Sequence, residues 1–73
     1  MTPESVVARV FGHNAADIDD STSPDTLPEW DSLGQITLII ELESAFGVSF
    51  SPDESVSLNS VGAIKAALAN RGQ

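Results

Sequence analysis

One hydroxyl in this chain stands where chemistry is easy to arrange. Ser32 follows Trp30 and Asp31 and leads into Leu33-Gly34-Gln35-Ile36-Thr37-Leu38-Ile39-Ile40-Glu41-Leu42-Glu43-Ser44-Ala45-Phe46-Gly47. That run reads as a helix entered through the Asp-Ser pair and closed by Gly47 in the left-handed C′ position. Asp31 or Ser32 can offer a side-chain oxygen to the N–H groups left unpaired in the first turn. A hydroxyl there is exposed, and a phosphodiester on it would face free N–H groups and the positive end of the helix dipole. Capping and attachment are therefore both open to Ser32, and on pattern alone capping is the commoner fate. Nucleophilic catalysis finds no support. Gly-x-Ser-x-Gly is absent, and the only histidine, His13, lies beyond a long loop as a poor base. His13 reads as a surface residue at the end of the first helix, without a metal or catalytic role.

The helix that carries Ser32 has two apolar faces rather than one. At about 100° per residue, Leu38, Ile39, Leu42, Ala45 and Phe46 fall on one side. Leu33, Ile36 and Ile40 form a second stripe roughly opposite, flanked by Glu41 and Glu43. A small domain has one core, so one stripe is expected inside and the other is left for a partner, or for packing against the linker or last helix. Trp30 reads equally as a core anchor or as a ring lying over the site.

The remaining elements follow from their punctuation. Thr2-Pro3-Glu4 opens helix 1 with a capping hydroxyl, proline at N1 and an acid in the first turn. Val6, Val7, Val10 and Phe11 give that helix its stripe, and Gly12 closes it. Residues 14–31 form a long linker rich in Asp, Ser, Thr and Pro, with Ile18 and Leu27 as core anchors. Asp17-Ile18-Asp19-Asp20-Ser21 invites a calcium reading, but Thr22 stands where the turn glycine belongs and Pro28 where the bidentate Glu should be. At most a loose divalent-ion site remains. Val48-Ser49-Phe50 reads as an extended connector, followed by a short helical segment around 53–57. Ser60 caps a last helix with Val61, Ile64 and Leu68 inward, and Lys65 and Arg71 near the negative end of its dipole. The expected fold is all-α: a small up-and-down four-helix bundle of three main helices and one short one, with a long loop between helices 1 and 2, forming one domain over 1–73.

Composition narrows the function. Eleven acids against three bases give a net charge of −8. Ten of the acids (Asp17, Asp19, Asp20, Asp25, Glu29, Asp31, Glu41, Glu43, Asp53 and Glu54) lie in a window, 17–54, that holds no Lys or Arg. Such a field repels nucleic acid and anionic membranes and steers the chain toward basic partners. There is no cysteine, hence no disulfide and no thiolate metal site. No signal peptide and no membrane-spanning run is visible, so a cytoplasmic monomer is expected.

Asp31-Ser32-Leu33 at the head of an amphipathic helix that ends in Glu43-x-x-Phe46-Gly47-Val48-x-Phe50 resembles the signature of acyl carrier proteins. The resemblance runs over essentially the whole chain, from helix 1 to Leu68. It implies a 4′-phosphopantetheine arm on Ser32, transferred from coenzyme A by a phosphopantetheinyl transferase, with Asp31 helping that enzyme and its Mg²⁺ engage. It also implies a non-catalytic carrier of acyl, hydroxyacyl or aminoacyl thioesters. Loading by a ligase or acyltransferase would precede delivery to synthase enzymes that dock on Leu33, Ile36, Ile40, Glu41 and Glu43 through basic surfaces. Gly34 and Thr37 stand where many fatty-acid carriers have acids, which favours a dedicated fatty-acid, polyketide or other specialised pathway. Gly-Gly-x-Ser, usual in peptidyl carriers, is missing, so an acyl carrier is preferred to an aminoacyl or peptidyl one. Beginning at Met1, the chain looks free-standing rather than cut from a megasynthase. The reading of another class is an unmodified acidic adaptor that binds through Leu33, Ile36 and Ile40; a calcium buffer comes third.

Overall fold

A computed structural model describes residues 2–72. Four α-helices, α1 (Pro3–Phe11), α2 (Ser32–Phe46), α3 (Pro52–Ser57) and α4 (Val61–Ala69), build an all-α bundle with no strand among the described residues. Each start is capped by the side chain of the residue before it: Thr2, Asp31, Ser51 and Ser60 accept from the N–H three residues on. At α1 and α3 the bond is reciprocal, since Ser5 and Glu54 reach back to the cap residue's own N–H. Gly12 and Gly47, at φ +76° and +65°, close α1 and α2 in the left-handed conformation that a Cβ disfavours.

The core joins Val6, Val7, Ala8 and Phe11 of α1 to Leu38 and Leu42 of α2 and to Val61, Ile64 and Leu68 of α4. Ile18, Leu27, Phe50 and Leu58 enter it from the connections, while Val10 and Val48 pack at its margin. Trp30 is 2% exposed: its ring lies in the core, stacked on Phe11 with centroids 5.6 Å apart. That resolves the choice its sequence position left open.

The linker has a purpose that its composition hid. It makes one 3₁₀ turn at Ala15–Asp17, and then its carbonyls cap α4. Thr22 O accepts from Val61 N at 2.9 Å and Asp20 O from Gly62 N at 3.0 Å, taking up two N–H groups a helix start leaves free. Thr22 is itself buried, and its hydroxyl accepts from Asp19 N at 3.0 Å. The Asp19 carboxylate is spent on Ser21 N and Ser21 Oγ, and Asp20 on Lys65. No group of three or more metal-ligating side chains occurs among the described residues.

Two electrostatic expectations need correction. Lys65 does not sit at the end of the α4 dipole; it lies mid-helix and bridges Glu4 (3.2 Å) and Asp20 (2.9 Å). Nor does the lack of Lys and Arg within the 17–54 window leave all of its acids without a basic partner. Arg9 reaches Glu41 at 3.3 Å, Lys65 reaches Asp20 and Arg71 reaches Glu54, so each base pairs into the window from outside it. Separation in sequence does not measure separation across a bundle this small.

Candidate functional site

The mouth of α2 assigns its two oxygens to different tasks. Asp31 is the cap: its Oδ1 accepts from Gly34 N at 2.8 Å, and its backbone carbonyl accepts from Gln35 N at 2.8 Å. Ser32 is the first helical residue, exposed, and its hydroxyl makes no hydrogen bond among the described residues. The capping role open to Ser32 in the sequence is therefore taken by its neighbour. The Ser32 and Leu33 N–H groups likewise find no acceptor there, which leaves two donors at the positive end of the dipole.

Gly34 fixes how this mouth sits on the body. A Cβ on Gly34 would stand 2.7 Å from Glu29 O and 2.7 Å from Phe11 Cε1. The absence of a side chain lets the first turn of α2 seat directly on the loop backbone and on α1. A side chain of any kind at this position would meet that contact. On the same side, His13 Nε2 lies 3.3 Å from Glu29 Oε2. The Glu29 carboxyl is held below its usual range, first by its own backbone N–H and then by His13.

On the other side of Ser32 lies an open depression of about 550 Å³ lined by Pro24, Trp30, Ser32, Gln35, Ile36 and Val56. It shares Gln35, Ile36 and Val56 with a smaller groove that continues past Ile39 and Ile40. Along this edge the second stripe of α2 stands in solvent, with Leu33 73%, Ile36 58% and Ile40 59% exposed. Val56 of α3, 78% exposed, extends the apolar surface onto a second helix. The sequence contained a signal for it, an isolated valine in the polar stretch Ser51–Ser57, but its side could not be read from so short a helix.

The two acids expected to flank the stripe lie differently. Glu41 is half-buried and paired with Arg9. The Oε2 of Glu43 accepts from Phe50 N at 2.8 Å and pins the connector after α2. Gln35, unremarked in the sequence, proves central. Its Nε2 donates to Ser55 O (2.8 Å) and Leu58 O (3.1 Å), and its Oε1 accepts from the Trp30 indole N–H.

Among the described residues the arrangement has one free hydroxyl, two free N–H groups, an apolar depression and no assembled base or metal-ligand group. It suits a covalent phosphodiester arm, for which there is both an attachment atom and room. No helix is long and apolar enough to cross a membrane among the described residues. No curated protein matches the chain. The family model of the phosphopantetheine attachment site matches residues 4–68, from the first turn of α1 to the last core leucine of α4. The chain belongs to that family, the carrier proteins: a non-catalytic domain to which 4′-phosphopantetheine is covalently attached.

Proposed function

We propose that Ser32 is the residue that bears the arm, and that the protein is an acyl carrier of a dedicated biosynthetic pathway. The observation that carries this is the division of labour at the α2 mouth: Asp31 caps, so the Ser32 hydroxyl is exposed and unengaged. Bound to a phosphopantetheinyl transferase, Ser32 Oγ would attack the phosphorus of coenzyme A that bears the pantetheine, forming the new P–O bond and giving up its proton while the pyrophosphate bond breaks and adenosine 3′,5′-bisphosphate leaves. The Ser32 and Leu33 N–H groups face the resulting phosphodiester. Asp31, with one carboxylate oxygen engaged as cap, has the other to offer the transferase and its Mg²⁺. Once attached, the arm supplies the thiol that this cysteine-free chain lacks.

Leu33, Ile36 and Ile40, joined by Val56, form the surface on which the transferase, loading ligase or acyltransferase, and synthase enzymes dock. The acidic field of the molecule favours partners whose docking faces are basic, while the contact itself is apolar. Missing Gly-Gly-x-Ser places an aminoacyl or peptidyl cargo second.

Intact mass after incubation with coenzyme A and a broad-specificity transferase tests the assignment. The protein should gain one arm and Ser32→Ala none; a modified Ser32→Ala, or an unmodified parent, overturns it. Because Ser32 Oγ supports no structure, Ser32→Ala should melt within about 0.5 kcal/mol of the parent, so loss of the arm cannot be mistaken for unfolding.

A further inference from the structure

The α3 helix should not hold its place unaided. It is six residues long, contributes no buried side chain, and is far below the length at which a helix persists alone. Its first turn is tied down by Arg71, which pairs with Glu54 and donates to Ser49 O at 3.2 Å. Its far end is held by buried Leu58, just beyond the helix, and by one side chain from outside, Gln35. Gln35 sits three residues after Ser32, on the same side of α2. Both protons of its amide nitrogen go to carbonyls at the end of α3, and its oxygen takes the indole N–H of Trp30. Trp30 and Val56 are walls of the depression beside Ser32. One amide thus joins the loop wall to the helix wall.

We propose that Gln35 is a positioning residue: it clamps α3 against α2 and so holds Val56 beside Ile36 and Ile40 in the surface that partners meet. The consequence for partner enzymes rests on Ser32 as the modified residue; the clamp itself does not. Gln35→Met keeps the length and removes every bond. Gln35→Glu keeps an oxygen for Trp30 but sets a second one against the Ser55 and Leu58 carbonyls. The two variants therefore cut the clamp at different places.

Hydrogen exchange, Trp30 emission and transferase kinetics on the unmodified chain read the outcome. In both variants, exchange at the α3 amides should quicken about tenfold while α1 and α4 keep the parent's rates. Emission of Trp30, the only tryptophan, should change in Gln35→Met and stay near the parent's in Gln35→Glu. The transferase KM should rise about threefold with kcat little changed, since Asp31 and Ser32 are untouched. Exchange that quickens equally in every helix, or not at all in α3, overturns the clamp, and an unchanged KM overturns the part of the proposal that sets α3 in the surface partners meet. If the transferase modifies neither parent nor variants, the Ser32 assignment fails, while exchange and emission still judge the clamp.

Discussion

At the scale of single residues, neighbouring positions at the α2 mouth carry separable roles, and substitution should separate them. Asp31→Ala removes the only side-chain bond to Gly34 N and should cost about 1 kcal/mol of stability, the usual loss for a helix cap. Gly34→Ala tests the close seat of α2. Helix propensity alone would reward it by about 1 kcal/mol. The new Cβ, however, meets a backbone carbonyl and an aromatic ring at 2.7 Å, and overpacking of that kind costs about 1–3 kcal/mol. The carbonyl belongs to the loop and has no flexible end to swing aside, so a net loss is expected; a raised melting temperature for Gly34→Ala would refute that seating. This contact also marks where sequence reading stopped. Asp31 and Ser32 both offer a capping oxygen, and only φ/ψ and distance tell which one is used. Gly34 could be noted as a missing acid but not as a site of close approach, because its neighbours Phe11 and Glu29 are fixed by the tertiary fold. Trp30 was ambiguous for a related reason: its ring is core, yet its edge meets the depression beside Ser32.

At the scale of elements, α2 has two apolar faces with opposite energetic meanings. Leu38 and Leu42 are sealed in the core, whereas Leu33, Ile36 and Ile40 stand in water. Leu42→Ala should cost about 2–5 kcal/mol in chemical denaturation, the range for an emptied core site. Ile36→Asp and Ile40→Ser should move stability by no more than about 0.5 kcal/mol, while Ile36→Asp slows arm transfer. Equal losses on both faces would mean that the outer stripe is structural, and its docking role would fall. The two-face pattern was legible because a fifteen-residue helix samples its circumference four times over, and the helix boundaries were legible because each is punctuated by caps and glycines. What escaped was non-local. The linker's carbonyls cap α4, and Gln35 bonds across 20 and 23 residues of chain to α3. No periodicity encodes such bonds; they exist because a buried or half-buried polar group must find whichever partner the fold brings near.

At the scale of the whole molecule, charge is the dominant long-range term, and salt and acid probe its two parts. A net charge of −8 on 73 residues destabilises the compact state by self-repulsion, even with each base paired. Raising monovalent salt from about 0.02 M to 0.5 M should therefore raise the melting temperature, because screening relieves more repulsion than it removes from exposed ion pairs. A temperature indifferent to salt would count against crowding of the acids in space.

Acid works through the opposite sign at particular carboxylates. Glu54 is held below its usual value of 4.5, chiefly by its bond from Arg71, and Asp19 below 3.8, chiefly by the Ser21 hydroxyl. A group whose carboxyl is lowered in the folded state binds its proton more readily when unfolded. Its stabilisation is present above the unfolded value and drains away as pH falls through the folded one. Lys65 is the mirror case: raised above 10.5 by Asp20 and then Glu4, it stabilises below that value and loses its effect as pH climbs past it. Arg71→Met isolates the Glu54 contribution. At neutral pH the variant should melt below the parent, having lost the ion pair and the guanidinium that lies 4.7 Å from the Phe50 ring centroid. As pH falls below 4.5 and on through the lowered value of the parent, Glu54 becomes protonated in both proteins and the gap should narrow. It should not close, because the contact with Phe50 does not titrate in that range. A gap that stays constant from neutral to acid pH would assign the effect of Arg71 to its contacts with Phe50 and the Ser49 carbonyl and leave the Glu54 bond without energetic weight.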